Sequence, residues 1–143
     1  MDITISDFIA ASFPSELLDN SERICLTLAA DNGWSNFPAT DRRLVRYQPG
    51  TGGWYVGSAT FDPPEPSGWF PRDRDHARRM FLLVLDDIGT KVARDRVPVA
   101  PSYIIETSPN NYQYGYFLDP LDVTDPGMAA HFEAAQDAIA RAG

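Results

Sequence analysis

Two adjacent carboxylates, Asp86 and Asp87, close the apolar run Met80-Phe81-Leu82-Leu83-Val84-Leu85. Burial and mutual repulsion both disfavour ionising such a pair, so a compensating charge is expected. A divalent cation is one compensator. Oxygen donors suit Mg²⁺ or Mn²⁺, and Mg²⁺ is commonly held by one or two protein carboxylates with substrate phosphates completing its shell. A solvated turn, Asp-Asp-Ile-Gly, ending the strand is the other reading of the same residues. Consecutive strand residues point to opposite faces, so both aspartates can serve one ion only where the strand ends or bulges between them, and Gly89 supplies a break. Glu106, within Ile104-Ile105-Glu106-Thr107, is a further carboxylate in an apolar context. It joins the same site if the two strands pair, and otherwise serves as a structural hydrogen-bond acceptor. Ser108, Asn111 and Gln113 gather neutral donors around the next turn, suited to a phosphate or sugar and equally to holding the turn together.

The elements that must carry these residues follow from hydrophobic pattern and turn chemistry. A short helix is expected before Phe13, capped at Ser6 or Asp7 and closed by Pro14. Residues 24–29 read as a strand, broken by Asp31-Asn32-Gly33. Two further strands, 43–47 and 54–61, flank a glycine-rich loop and are expected to pair antiparallel. The prolines of 62–71 dictate a loop, which displays Trp69 and Phe70. The unalternating run 80–85 reads as a central strand covered on both faces. Residues 103–107 and 112–118 read as a hairpin around Ser108-Pro109-Asn110-Asn111. Asp125 and Pro126 open a final helix whose Met128, Phe132, Ala135 and Ile139 recur at helical spacing. Together these imply one α+β domain, with an antiparallel or mixed β-sheet and packing helices.

Composition limits the chemistry. Twelve basic and 20 acidic residues give the 143-residue chain a formal charge of −8, which argues against holding nucleic acid by bulk attraction. Any phosphate contact then needs local chemistry. The single Cys25 excludes an internal disulfide framework and a thiolate zinc site, and two histidines, His76 and His131, exclude a multi-histidine metal site. No apolar run approaches the roughly 18 residues that cross a bilayer, and the N-terminus lacks a secretory layout. A cytoplasmic protein with no membrane partner is expected.

The segment Leu83-Val84-Leu85-Asp86-Asp87-Ile88-Gly89-Thr90-Lys91-Val92, followed by Pro101-Ser102-Tyr103-Ile104-Ile105-Glu106-Thr107-Ser108-Pro109-Asn110-Asn111-Tyr112-Gln113, resembles the archaeo-eukaryotic primase (primase–polymerase) superfamily, in particular its RepB-like phage and plasmid branch. The resemblance implies an RRM-like primase core. It also implies metal-dependent nucleotidyl transfer from a nucleoside triphosphate to a 3′-hydroxyl on a single-stranded DNA template. Asp86 and Asp87 match the acidic metal-binding motif, for Mg²⁺ or Mn²⁺. Ser108 to Gln113 match the phosphate-contacting hairpin motif in spacing, with Gln113 where many members have His. On this resemblance Ser108, Asn111 and Gln113 bind the nucleotide, and Lys91 is either a charge partner of its triphosphate or an ordinary surface lysine.

The cluster Arg72-Asp73-Arg74-Asp75-His76-Ala77-Arg78-Arg79 has two readings. Arg74, Arg78 and Arg79, with Arg72, track template backbone, or the interleaved Asp73 and Asp75 make a solvated salt-bridge face. Two departures stand against the family pattern. The acidic motif reads Asp-Asp rather than Asp-x-Asp, and the third metal-binding aspartate has no secure counterpart, since Asp119 and Asp122 lie too close to the hairpin. The expectation is the front part of a larger replication protein, with a helicase domain or replication partner beyond it. A non-catalytic nucleic-acid- or partner-binding descendant of the same fold is the alternative. An unrelated interaction domain built on the Trp69–Phe70 loop is a third.

Overall fold

The structure, a computed structural model, describes residues 3–30, 33–39 and 53–142. Helix α1 spans Ile5–Ser12 and α2 spans Pro126–Ala142. The strands are β1 Arg23–Ala30, β2 Gly33–Ala39, β3 Gly53–Phe61, β4 Ala77–Ile88, β5 Tyr103–Ser108 and β6 Asn111–Asp122. They form one sheet in the order β2-β1-β3-β4-β6-β5, curled into a half-barrel, and every pairing is antiparallel. The α+β expectation therefore resolves to an antiparallel sheet with two helices. Among the described residues no helix is long and apolar enough to cross a membrane.

Helix α1 starts two to three residues earlier than Ser6 or Asp7 would place it. Thr4 is the cap: its hydroxyl accepts the Asp7 N–H at 3.1 Å while the Asp7 carboxylate accepts the Thr4 N–H at 3.0 Å. This reciprocal box satisfies two otherwise orphaned donors, which a cap at Asp7 itself would not. The helix buries Ile9, with Phe13 just past its end, against Ile24, Leu26, Phe81 and Leu82. Strand β2 was not anticipated, because Pro38 argues against a ladder. At the outermost position of the sheet the missing donor costs nothing. The expected strand 43–47 lies outside the described residues, and β3 takes β1 and β4 as neighbours.

Strand β4 is central, between β3 and β6, and buries Phe81, Leu82, Leu83 and Leu85, as its unalternating run requires. The β5–β6 hairpin forms, and its tip Asn110 adopts φ 61°, a left-handed conformation that asparagine tolerates. Asp125 caps α2 by accepting the Gly127 N–H at 2.9 Å. Of its four expected core residues only Phe132 and Ile139 reach the cluster of Leu83, Leu85, Ile88 and Tyr114; Met128 and Ala135 are exposed. In the proline-rich loop Trp69 is exposed, whereas Phe70 is buried against Phe61, so the loop does not present both rings.

One polar network ties three strands together. The side chain of Glu22, just before β1, is 1% exposed. It accepts from Arg79 Nε of β4 at 3.0 Å, from Thr60 Oγ1 of β3 at 2.7 Å and from the Asp19 N–H at 3.2 Å. Arg79 also donates to the Leu17 carbonyl and lies over the Phe81 ring.

Candidate active site

The acidic pair sits on a bulge. Leu85 pairs with Tyr114 and Ile88 with Tyr112, so Asp86 and Asp87 of β4 together oppose the single residue Gln113 of β6. Two residues against one bends a strand and re-aims its side chains. The backbone agrees: Asp87 has φ 57° and Gly89 φ 94°, and the Gly89 N–H donates to the Val92 carbonyl at 2.6 Å. The interruption needed for two consecutive aspartates to act together is therefore present. Neighbouring strands lie about 4.8 Å apart, which puts Gln113 beside the acidic step.

Lys91 pairs with the acidic step itself. Its Nζ stands 2.5 Å from Asp87 Oδ2, and this contact, reinforced by Asn111, holds the Asp87 carboxyl below its ordinary range and the lysine above its own. Asp86 is exposed and accepts the Asp87 N–H at 2.8 Å. The pair thus reaches solvent rather than the core. Replacing Lys91 with alanine is expected to return the Asp87 titration upward toward that of an unperturbed aspartate, read from the carboxyl chemical shift; an unmoved midpoint would show that the ion pair does not set it.

Asn111 joins the hairpin to the bulge. Its Nδ2 donates to Asp87 Oδ1 at 3.4 Å and to Thr107 Oγ1 at 3.1 Å, and its Oδ1 accepts from Thr90 Oγ1 at 2.6 Å. These bonds occupy the amide, so Asn111 positions the acidic step from within. Gln113, half-buried, makes no side-chain hydrogen bond among the described residues and remains available. Ser108 is exposed at the hairpin end, opposite Asn111, and is likewise unbonded through its side chain. Glu106 does not meet its condition: β6 lies between β4 and β5, leaving two strand spacings, about 9.6 Å, between its strand and the bulge. It is exposed, and its carboxylate caps the hairpin by accepting the Asn110 N–H at 3.1 Å, the structural alternative. Asp122 stands at the far end of β6, opposite Arg79, and binds Thr124.

The arginine cluster is spent on this chain's own carboxylates, though not on Asp73 or Asp75. Arg74 pairs with Glu133 of α2 at 3.0 Å, Arg78 with Asp62 at 3.3 Å and Arg79 with Glu22, while Asp73 binds His76 Nδ1 at 2.6 Å. These partners are remote in sequence, which hid them from a local reading. Arg72 alone of the four arginines makes no ion pair.

The donors at the bulge suit one hard cation in kind. Asp86 and Asp87 offer carboxylate oxygens open to solvent, the number Mg²⁺ commonly takes from protein when phosphates complete its shell. Among the described residues no group of three or more His, Cys, Asp or Glu stands together. The turn that shapes the bulge is sensitive to one atom: a Cβ on Gly89 would lie 2.4 Å from the Asn110 carbonyl oxygen. Gly89→Ala, with its φ of 94°, is expected to cost about 2–3 kcal/mol by denaturant titration, combining left-handed strain with the clash. Wild-type stability would show that the turn re-forms freely.

Compared with family models, curated proteins and solved structures, the chain matches none.

Proposed function

We propose that this chain is a DNA primase–polymerase domain of the RepB-like type, from a phage or plasmid replication protein, acting in the cytoplasm beside a helicase domain or replication partner. The observation that carries the reading is the bulge, where Asp86 and Asp87 of β4 stand opposite Gln113 of β6 in the strand register. The reading rests on the site rather than on the fold. An RRM-like core would carry a helix between its first strand and the following hairpin, and between β4 and the β5–β6 hairpin stands only a short 3₁₀ turn, Arg94–Arg96. The antiparallel β4–β6 pair also departs from the parallel central pair of a split βαβ unit.

Asp86 and Asp87 would hold Mg²⁺ or Mn²⁺, which when bound offsets the charge of a triphosphate and favours displacement at its α-phosphorus. Lys91 holds the Asp87 carboxyl below its ordinary range. Gln113 donates its amide N–H to a phosphate oxygen, and Ser108 offers a hydroxyl at the open end of the hairpin. In the transfer the 3′-oxygen bonds to the α-phosphorus, the bond to the departing pyrophosphate breaks, and the hydroxyl proton passes to water.

The test is template-directed incorporation with Mn²⁺, comparing the wild type with Asp86→Asn/Asp87→Asn. A second reading, a non-catalytic relative that binds nucleic acid or a replication partner, is favoured by Lys91, which already neutralises Asp87 without a metal. Strand binding with no incorporation by the wild type selects that reading.

A further inference from the structure

On the α1 side of the sheet an open groove of about 710 Å³ runs from Arg72 and Ser58 to Thr107 and Gln113. Its length follows from the register. Ser58 lies one residue before Ala59, which pairs with Met80, while Gln113 lies two strands over and about five residues further along, roughly 19 Å away by strand spacing and rise. That exceeds a nucleoside and suits a short stretch of extended strand.

Three features of the lining point to its occupant. First, the chain has 20 acidic residues and a net charge of −8, yet among the described residues no carboxylate lines the groove and one guanidinium does. Second, Arg72, Gln113 and Tyr103 all line it, and among the described residues their side chains make no hydrogen bond or ion pair. The other three members of the arginine cluster are paired, so Arg72 is the one left to meet an anion. Third, the walls offer fixed aromatic surface. Phe8 of α1 meets Tyr103 of β5 edge-on at 4.9 Å, and the Tyr103 ring lies against Gly115, where a Cβ would approach within 1.8 Å of it. Burial pushes the Tyr103 hydroxyl up to about 12, leaving it a neutral donor. Aromatic surface, an apolar floor at Val56 and Val84, and one cation at the end are the components of a stacking site for unpaired bases.

We propose that this groove seats a segment of single-stranded nucleic acid, with bases against Phe8 and Tyr103, a backbone phosphate at Arg72, and Gln113 at the end beside the acidic bulge. The inference deepens the proposed function by naming where the strand lies, and it moves strand contact away from Arg74, Arg78 and Arg79. Because one phosphate is neutralised, binding depends weakly on salt, unlike that of a basic-groove protein.

The experiment is fluorescence anisotropy of a labelled short oligothymidylate with the full chain, without divalent cation or nucleotide, across a salt titration. The wild type is expected to bind with a log–log salt slope of about −0.7, the value for one phosphate on a single strand. Arg72→Glu is expected to weaken binding at least tenfold. Ile105→Glu, which puts a carboxylate into the lining at a position 40% exposed, is expected to weaken it comparably with an unchanged melting temperature. Arg96→Glu makes the same charge change as Arg72→Glu outside the groove, and is expected to alter binding less than twofold. No binding by the wild type, equal weakening by Arg96→Glu, or displacement of the strand by equimolar thymidine triphosphate overturns the proposal. Incorporation lost with strand binding intact would sink the nucleotidyl-transfer reading and leave the groove standing. Incorporation present with binding indifferent to Arg72 and Ile105 would do the reverse.

Discussion

The Asp86→Asn/Asp87→Asn variant is expected to fold like the wild type and to lose at least about a hundredfold in nucleotide incorporation. Loss of groups that merely support metal ligands costs ~10–100-fold, and the ligands themselves cost more. Asparagine is the apt replacement. Asp87 has φ 57°, a conformation that Asn adopts readily and Ala resists, so the substitution removes charge without straining the bulge. Neither carboxylate is buried, and an unchanged melting temperature is therefore part of the expected result. The two single variants separate the roles. Asp87 already has Lys91 and Asn111 as partners, whereas Asp86 accepts only from the neighbouring backbone N–H. Equal incorporation by wild type and double variant would remove both aspartates from the mechanism.

Arg79→Met is expected to destabilise the protein by about 3–5 kcal/mol at neutral pH, the largest stability effect of any substitution considered, because it leaves Glu22 charged and unpaired in the interior. Burial pushes the Glu22 carboxyl up, but the bonds from Arg79, Thr60 and the Asp19 N–H outweigh it, so the folded value lies below the ordinary one. The wild type consequently has the full contribution of this group above about pH 4.3, and loses it as pH falls through the folded value. In the variant burial dominates and raises the carboxyl above its unfolded value. Its folded state then takes up a proton first, so its relative stability increases on mild acidification. Urea titrations of both proteins between about pH 7 and pH 4 should show the gap narrowing. A gap constant across that range would show that Glu22 is not left charged in the variant. Glu22→Gln/Arg79→Met, which keeps an acceptor for Thr60 without the charge, is expected to cost less than Arg79→Met alone.

The site was legible in the sequence where its chemistry is local. Asp86 and Asp87 next to Gly89 announced a break in a strand, and the break is there as a bulge. The turn residues Ser108-Pro109-Asn110-Asn111 announced a hairpin, and it forms. Lys91 could be read either way, and its place four residues after Asp87 closes an ion pair across one turn. Glu106 was harder. Nothing in its neighbourhood says that β6, later in the chain, inserts between its strand and β4. The ion partners of the arginines were hidden for the same reason, since Glu22, Asp62 and Glu133 arrive from elsewhere in the chain.

Residue type and short-range spacing were sufficient for the α+β class, the burial of β4, the hairpin and the break at the acidic step, because each depends on hydrophobic period or on turn conformations that a few residues set. Strand order and the identity of every long-range ion partner were decided only by the folded chain. So was the groove that brings Arg72, Tyr103 and Gln113 together. Strand pairing is chosen by global burial and closure of the whole sheet, and it is this choice that sets which carboxylates neutralise the arginines and which single arginine is left over.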